Sequence, residues 1–185
     1  PRINSILKTV FLLFDSLNLR MLNSYGGKYL DTLNFNRLAE KSIQFNNHYV
    51  GSMPCMPARR DMHSGRLSFL HRGWGPLEPF DNSFPEILSK SKIYSHLVTD
   101  HYHYFEDGGA TYHNRFNSWD FIRGQESDPW KAMVQPPLQK FREKFHKSQL
   151  NLENRESGYY RHAVNSEFIK EEKDFPSVKC FNSAL

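Results

Sequence analysis

The sequence predicts an α/β protein, with a mixed, mostly parallel sheet flanked by helices. Three observations point to it. Thr9-Val10-Phe11-Leu12-Leu13-Phe14 is an apolar, β-rich run suited to a strand buried on both faces, as strands of parallel sheets are. Ile93-Tyr94-Ser95-His96-Leu97-Val98-Thr99 reads as a second such strand. Helical segments accompany them: residues 32–39, residues 57–64, and Phe84-Pro85-Glu86-Ile87-Leu88.

The first run stops at Asp15. A carboxylate at the carboxyl end of a buried strand is where α/β proteins gather ligands. A helix-capping aspartate is the other reading. Leu33, Phe35 and Leu38 then suit a helix that packs one apolar face on a sheet.

Cys55-Met56-Pro57-Ala58-Arg59, followed by Ser64-Gly65-Arg66, carries the most chemistry. Pro57 fits a first helical turn, where its missing N–H costs nothing, and Gly65 fits a C-terminal cap. Cys55 would sit at the mouth of that helix, facing free backbone N–H groups and the positive end of the dipole. Such a place favours a thiolate or a bound oxyanion. Arg59, one turn on, shares its face. A cysteine before a proline is also commonly just a small, half-buried apolar residue.

The second strand runs into Asp100-His101-Tyr102-His103. A histidine here can hydrogen-bond or transfer a proton. His-x-His after an aspartate also supplies metal-ligand types, and histidines at a strand end are often plain surface residues.

Composition bounds the function. The chain has 185 residues, enough for one domain with a sizeable core. It shows no transmembrane run and no signal-peptide pattern, so a cytoplasmic setting without a membrane partner is expected. Its 24 basic and 20 acidic residues are interspersed, an ordinary solubility balance and not a nucleic-acid footprint. The two cysteines, Cys55 and Cys180, sit in very different contexts, so no disulfide is expected.

Residues 105–160 behave differently. Glu106-Asp107-Gly108-Gly109 and residues 123–129 read as loops, and Gln135-Pro136-Pro137 breaks any helix there. Residues 138–150 look like a mixed-charge surface helix, and residues 155–160 like a loop leading to a last helix. Arg115, Trp119 and Arg123 are possible anion or sugar contacts, with solvated or packing roles the better expectation. Residues 175–185 begin like a helix, with Pro176 in its first turn, and stop without a glycine cap or polar tail, which suggests a truncated chain.

Cys-x-Pro-x-Arg with Ser-Gly-Arg resembles the signature of the type I sulfatases, formylglycine-dependent members of the alkaline phosphatase-like superfamily. Cys55, Pro57, Arg59, Gly65 and Arg66 match it, and Ser64 replaces the usual threonine. The resemblance implies the sulfatase/alkaline phosphatase-like sheet, with residues 1–185 as the N-terminal portion of a catalytic domain and 105–160 as a variable insertion. Thr32-Leu33-Asn34-Phe35-Asn36-Arg37-Leu38-Ala39 and Phe45-Asn46-Asn47-His48-Tyr49 are similar to a helix and short strand of the family.

The same resemblance implies a mechanism. Cys55 would be oxidised to formylglycine, the nucleophile, by a formylglycine-generating enzyme. Asp15 and the formylglycine oxygen at Cys55 would hold a divalent cation, Ca²⁺ given oxygen ligands, or else Mn²⁺ or Mg²⁺. Arg59 would stabilise charge, while His101 and His103 stand where the family has a lysine and a histidine on the reacting group. Imidazole replaces a cation only when protonated, so a contribution from His101 would fall as pH rises. The implied substrate is a small-molecule or carbohydrate sulfate ester, and this length of chain is expected to be inactive alone. Ser16 departs from the family's second acid. That leaves open a phosphonate or phosphodiester hydrolase, or a non-catalytic sulfatase-like binding protein.

Overall fold

The computed structural model describes residues 8–108, 111–146 and 158–185. Among them are six α-helices: α1 Leu33–Ala39, α2 Cys55–Ser64, α3 Phe84–Lys90, α4 Leu138–Lys144, α5 Gly158–Ser166 and α6 Pro176–Ala184. Two strands, β1 His96–Thr99 and β2 Ser118–Phe121, form a parallel pair in which His96 faces Ser118 and Thr99 faces Phe121. This small parallel sheet with flanking helices gives a mixed α/β architecture. No helix of the described residues is long and apolar enough to cross a membrane.

The chain divides into two units, Pro1–Val50 and Gly51–Leu185. In the first, Asn23 ties a turn-rich segment to the start of α1. Its Oδ1 accepts from the Thr32 backbone N–H at 2.7 Å, and its Nδ2 donates to the carbonyls of Gly27 and Leu30 at 2.8 and 2.7 Å. Residues 9–14 do not form the expected strand. A buried strand needs a ladder partner and apolar cover on both faces. Among the described residues this unit contains no strand to pair with, and Val10, Phe11 and Leu12 are 79%, 68% and 54% exposed. Phe14 meets the edge of Phe35 at 5.6 Å, but Leu33 and Leu38 of α1 are exposed, so the helix forms without the sheet its apolar face suits. Residues 45–49 are likewise exposed and form no strand.

In the second unit the punctuation signals hold. Gly65 caps α2 in the left-handed region at φ 68°, its N–H donating to the Asp61 carbonyl at 2.8 Å. Ser83 and Glu86 form a capping box at α3, with Pro85 in its first turn. One core cluster joins Met56, Leu77, Tyr104 and Tyr112, with Leu97 of β1 and Phe105 packed on it. A second joins Phe141 of α4 to Tyr160, Ala163 and Val164 of α5. Of the helix expected over 138–150, residues 138–144 are helical, and 147–150 lie outside the described residues. Gly109 of the expected 106–109 loop and residues 155–157 lie outside them too.

Both cysteines are free. Arg115 pairs with Glu86 at 2.5 Å, Trp119 packs on Phe105 and His113, and Arg123 grips Asp128. These are packing and ion-pair roles, not open anion contacts.

Candidate active site

Cys55 is the first residue of α2, with Pro54 at the N-cap and no side chain capping the first turn. Its half-buried sulfur thus sits at the end where backbone N–H groups lack intrahelical acceptors. The helix is pinned from below. Asp61 accepts from Ser52 Oγ at 2.6 Å and from the N–H and Oγ of Ser68 at 2.8 and 2.6 Å. Burial pushes its carboxyl up, but these bonds and the nearby Arg60 charge outweigh that and hold it below the usual range. Arg60, 1% exposed, donates to Asp81 at 2.5 Å and to the Pro76 carbonyl at 3.2 Å.

Arg59 points the other way, into the site. Its Nη1 donates to the Tyr104 hydroxyl at 3.2 Å, and its guanidinium carbon lies 5.2 Å from the centre of that ring. Tyr104 stacks on Tyr112 with ring centres 5.1 Å apart. Burial raises the Tyr104 pKa, Arg59 draws it down, and the charge of Cys55 adds to the rise. Tyr104 is therefore the residue through which Cys55 and Arg59 meet the histidine segment.

That segment follows β1. His101 is 4% exposed, with its ring 4.9 Å from Tyr104 and 5.2 Å from His103. Burial, then the charge of Arg59, then that of His103, lower its pKa to about 2. It is a neutral imidazole at ordinary pH, so it does not supply the positive charge expected at this place. Its buried Nε2 has no hydrogen-bond partner among the described residues.

His103 is the charged member. Its Nδ1 meets Glu106 at 2.8 Å and its Nε2 meets Glu126 at 3.0 Å. The bond to Glu126 raises its pKa most; burial opposes this, and Glu106 adds to the rise. With both nitrogens engaged by carboxylates, the ring is not arranged as a metal ligand. Asp15, of the first unit, is exposed, and its Oδ1 accepts from Ser16 Oγ at 3.1 Å.

The structure thus brings Arg59 and His101 to Tyr104, with His103 against His101. Tyr104, Glu106, Glu126 and Trp74 were not singled out from sequence. Tyr104 and Glu106 lie just beyond His103, where a wider reading of the segment could have found them. Nothing local marks Glu126, which arrives from the loop after β2.

Comparison with known proteins follows this geometry. The sulfatase family model matches residues 8–172. The chain is 38% identical over 56 residues to the uncharacterized sulfatase YidJ of Escherichia coli K12, covering 30% of this chain and 11% of that protein. It is 23% identical over 119 residues to an N-acetylglucosamine-6-O-sulfatase of Bacteroides thetaiotaomicron, covering 63% of this chain and 20% of that protein. The matches therefore span a fifth or less of each relative's length. No solved structure gives a significant match. With its signature cysteine opening α2 and the family model matched across most of its length, the chain belongs to the sulfatase family.

Proposed function

We propose that this chain carries the nucleophile end of a sulfuric ester hydrolase, in which Cys55 is oxidised to formylglycine and acts on the ester sulfur. The observation that carries the reading is the seat of Cys55 at the N-terminus of a helix, with Arg59 one turn on and bonded to Tyr104, His101 against that ring and His103 against His101.

When formed, formylglycine supplies a hydrated aldehyde: one hydroxyl attacks sulfur as the alcohol leaves, and loss of the other hydroxyl's proton expels sulfate and restores the aldehyde. The chain's own residues do the rest. The first N–H groups of α2 face anionic oxygens, and the helix dipole favours them. Arg59, held at Tyr104, would stabilise charge on the transferring group through charge-assisted hydrogen bonds. His101 offers a neutral, buried nitrogen to a sulfate oxygen. His103, whose Nε2 lies 3.0 Å from Glu126 Oε2, would hand its Nε2 proton to the leaving alkoxide when protonated.

The donor chemistry also fits a divalent cation. The Asp15 carboxylate is a hard oxygen donor, which Ca²⁺, Mn²⁺ and Mg²⁺ take; a thiol sulfur is not, but an oxygen at position 55 would be. A cation held by such oxygen donors would polarise the ester oxygens. A carbohydrate sulfate is the favoured substrate class, because one relative is named for a sulfated N-acetylglucosamine.

The test is intact mass with turnover. Co-expression with a formylglycine-generating enzyme should lower the mass by about 18 Da at Cys55, as cysteine-to-aldehyde conversion requires. The modified protein, in a longer chain that includes this one, should hydrolyse an aryl sulfate while this length of chain alone stays inactive, and Cys55→Ala should abolish both the mass change and the turnover. An unmodified Cys55 from a competent host would point to a non-catalytic binding protein. Turnover of phosphonate monoesters in place of sulfates would point to the phosphonate hydrolases.

A further inference from the structure

His103 is held in a way that the signature motif does not account for. The Trp74 indole Nε1–H donates to Glu106 Oε1 at 2.9 Å, and Glu106 Oε2 meets His103 Nδ1 at 2.8 Å. The Trp74 ring also stands edge-on to the imidazole, with centres 4.7 Å apart at 84°. One side chain therefore fixes the carboxylate and walls the ring that the carboxylate orients. On the far side, Nε2 lies 3.0 Å from Glu126 Oε2, an ion-pair contact without hydrogen-bond alignment.

Glu126 is itself placed with care. It adopts φ 49°, a left-handed conformation that costs a non-glycine residue energy. Its loop is built around Asp128, which is 1% exposed, takes two bonds from Arg123 Nε at 3.1 and 2.8 Å, and accepts from the Gly124 N–H at 2.8 Å. Asn165 of α5 donates to the carbonyls of both Glu126 and Asp128. Gly124 cannot be replaced freely: at φ 107°, its Cβ would come within 2.7 Å of Trp130.

We propose that Trp74 and Glu106 are positioning residues for the sulfatase reaction: they fix the orientation of His103 and the tautomer it takes when neutral, so that Nε2 presents the working proton, and Glu126 occupies the acceptor position that a substrate oxygen takes during turnover. This rests on the hydrolase reading above. A carboxylate behind Nδ1 and an acceptor before Nε2 is the arrangement by which a general acid is aimed. The other groups facing the ring are His101 at 5.2 Å, neutral through burial, the Tyr102 ring at 5.7 Å, and His162 of α5, which shares a groove with His103 and Glu126.

The experiment reads His103 by two-bond ¹H–¹⁵N correlation in this chain, alongside aryl sulfate turnover by the formylglycine form of a longer parent chain that includes it. In the parent, Nδ1 should carry its proton toward Glu106 and the ring should stay in one tautomer on deprotonation. Glu106→Gln should give mixed tautomers, lower the titration midpoint of His103, cut kcat about tenfold with KM little changed, and move the alkaline limb of the rate profile to lower pH. Trp74→Phe keeps the carboxylate and should do the same more weakly. Glu126→Gln should lower the midpoint and leave the tautomer fixed. If Glu106→Gln and Trp74→Phe both leave tautomer and midpoint unchanged, the proposal is overturned. If the spectra respond as stated but the parent has no sulfatase turnover, the positioning geometry stands and the hydrolase reading alone is lost.

Discussion

His101 and His103 lie with ring centres 5.2 Å apart, and their surroundings push their pKa values in opposite directions. Burial and Arg59 keep His101 neutral, with its pKa lowered to about 2, while bonds to Glu126 and Glu106 raise that of His103. Environments that push neighbouring groups apart are how one site holds both an acid and a neutral hydrogen-bonding group.

The stability signs follow directly. His103 is raised when folded, so its stabilisation is complete below the unfolded value of 6.5 and is lost as pH rises through the folded midpoint. Urea unfolding followed from pH 6 upward should show a decline that Glu106→Gln and Glu126→Gln each reduce.

His63 should contribute to the acid limit, alongside His101. It lies among Phe84, Tyr104, Tyr112 and Phe116, and burial, with the charges of Arg59 and Arg115, lowers its pKa from 6.5 to about 4. The unfolded chain therefore binds this proton first, and stability falls as pH drops from 6.5 toward 4, by about 3 kcal/mol at one pKa unit per 1.36 kcal/mol. His63→Phe should fold and flatten that slope in urea titrations between pH 7 and 4.

Asp81→Asn should be costly. It strips a buried Arg60 of its carboxylate, and breaking a buried pair from one side costs about 3–5 kcal/mol. Denaturant midpoints should show that loss. The helix carrying Cys55 should loosen with it, read as faster alkylation of the thiol.

Tyr104→Phe removes the acceptor of Arg59 while keeping the stacked ring. A hydrogen bond to a charged group is worth about 1.5–3 kcal/mol, so stability should fall by that order. Sulfate ester turnover should drop further than thermal unfolding would explain, because Arg59 loses its aim.

The parts of this fold legible in the sequence are those with local punctuation. Gly65 and the proline-bearing signature mark α2, and Ser83 with Glu86 marks α3, because caps and turns are decided by a few adjacent residues. The apolar run at 9–14 misled, since an apolar pattern becomes a strand only where a partner ladder exists. β2 went unread because Ser-Trp-Asp-Phe is four residues long and carries no sustained alternation. In the site, Cys55, Arg59 and the histidines were visible as types and spacings. Glu126 and Trp74 were not, because they reach His103 from 23 residues after it and 29 before it in the chain.

The parallel direction of β1 and β2 acts as a ruler. Both strands leave the sheet at one edge, so the chain that continues into His103 and the chain that continues into Glu126 start level, Thr99 beside Phe121. Deleting a single residue from β2 would draw its continuation back by about 3.3 Å, the rise of one strand residue. That exceeds the 3.0 Å contact it has to preserve, so strand length here is a tolerance on chemistry as much as on folding.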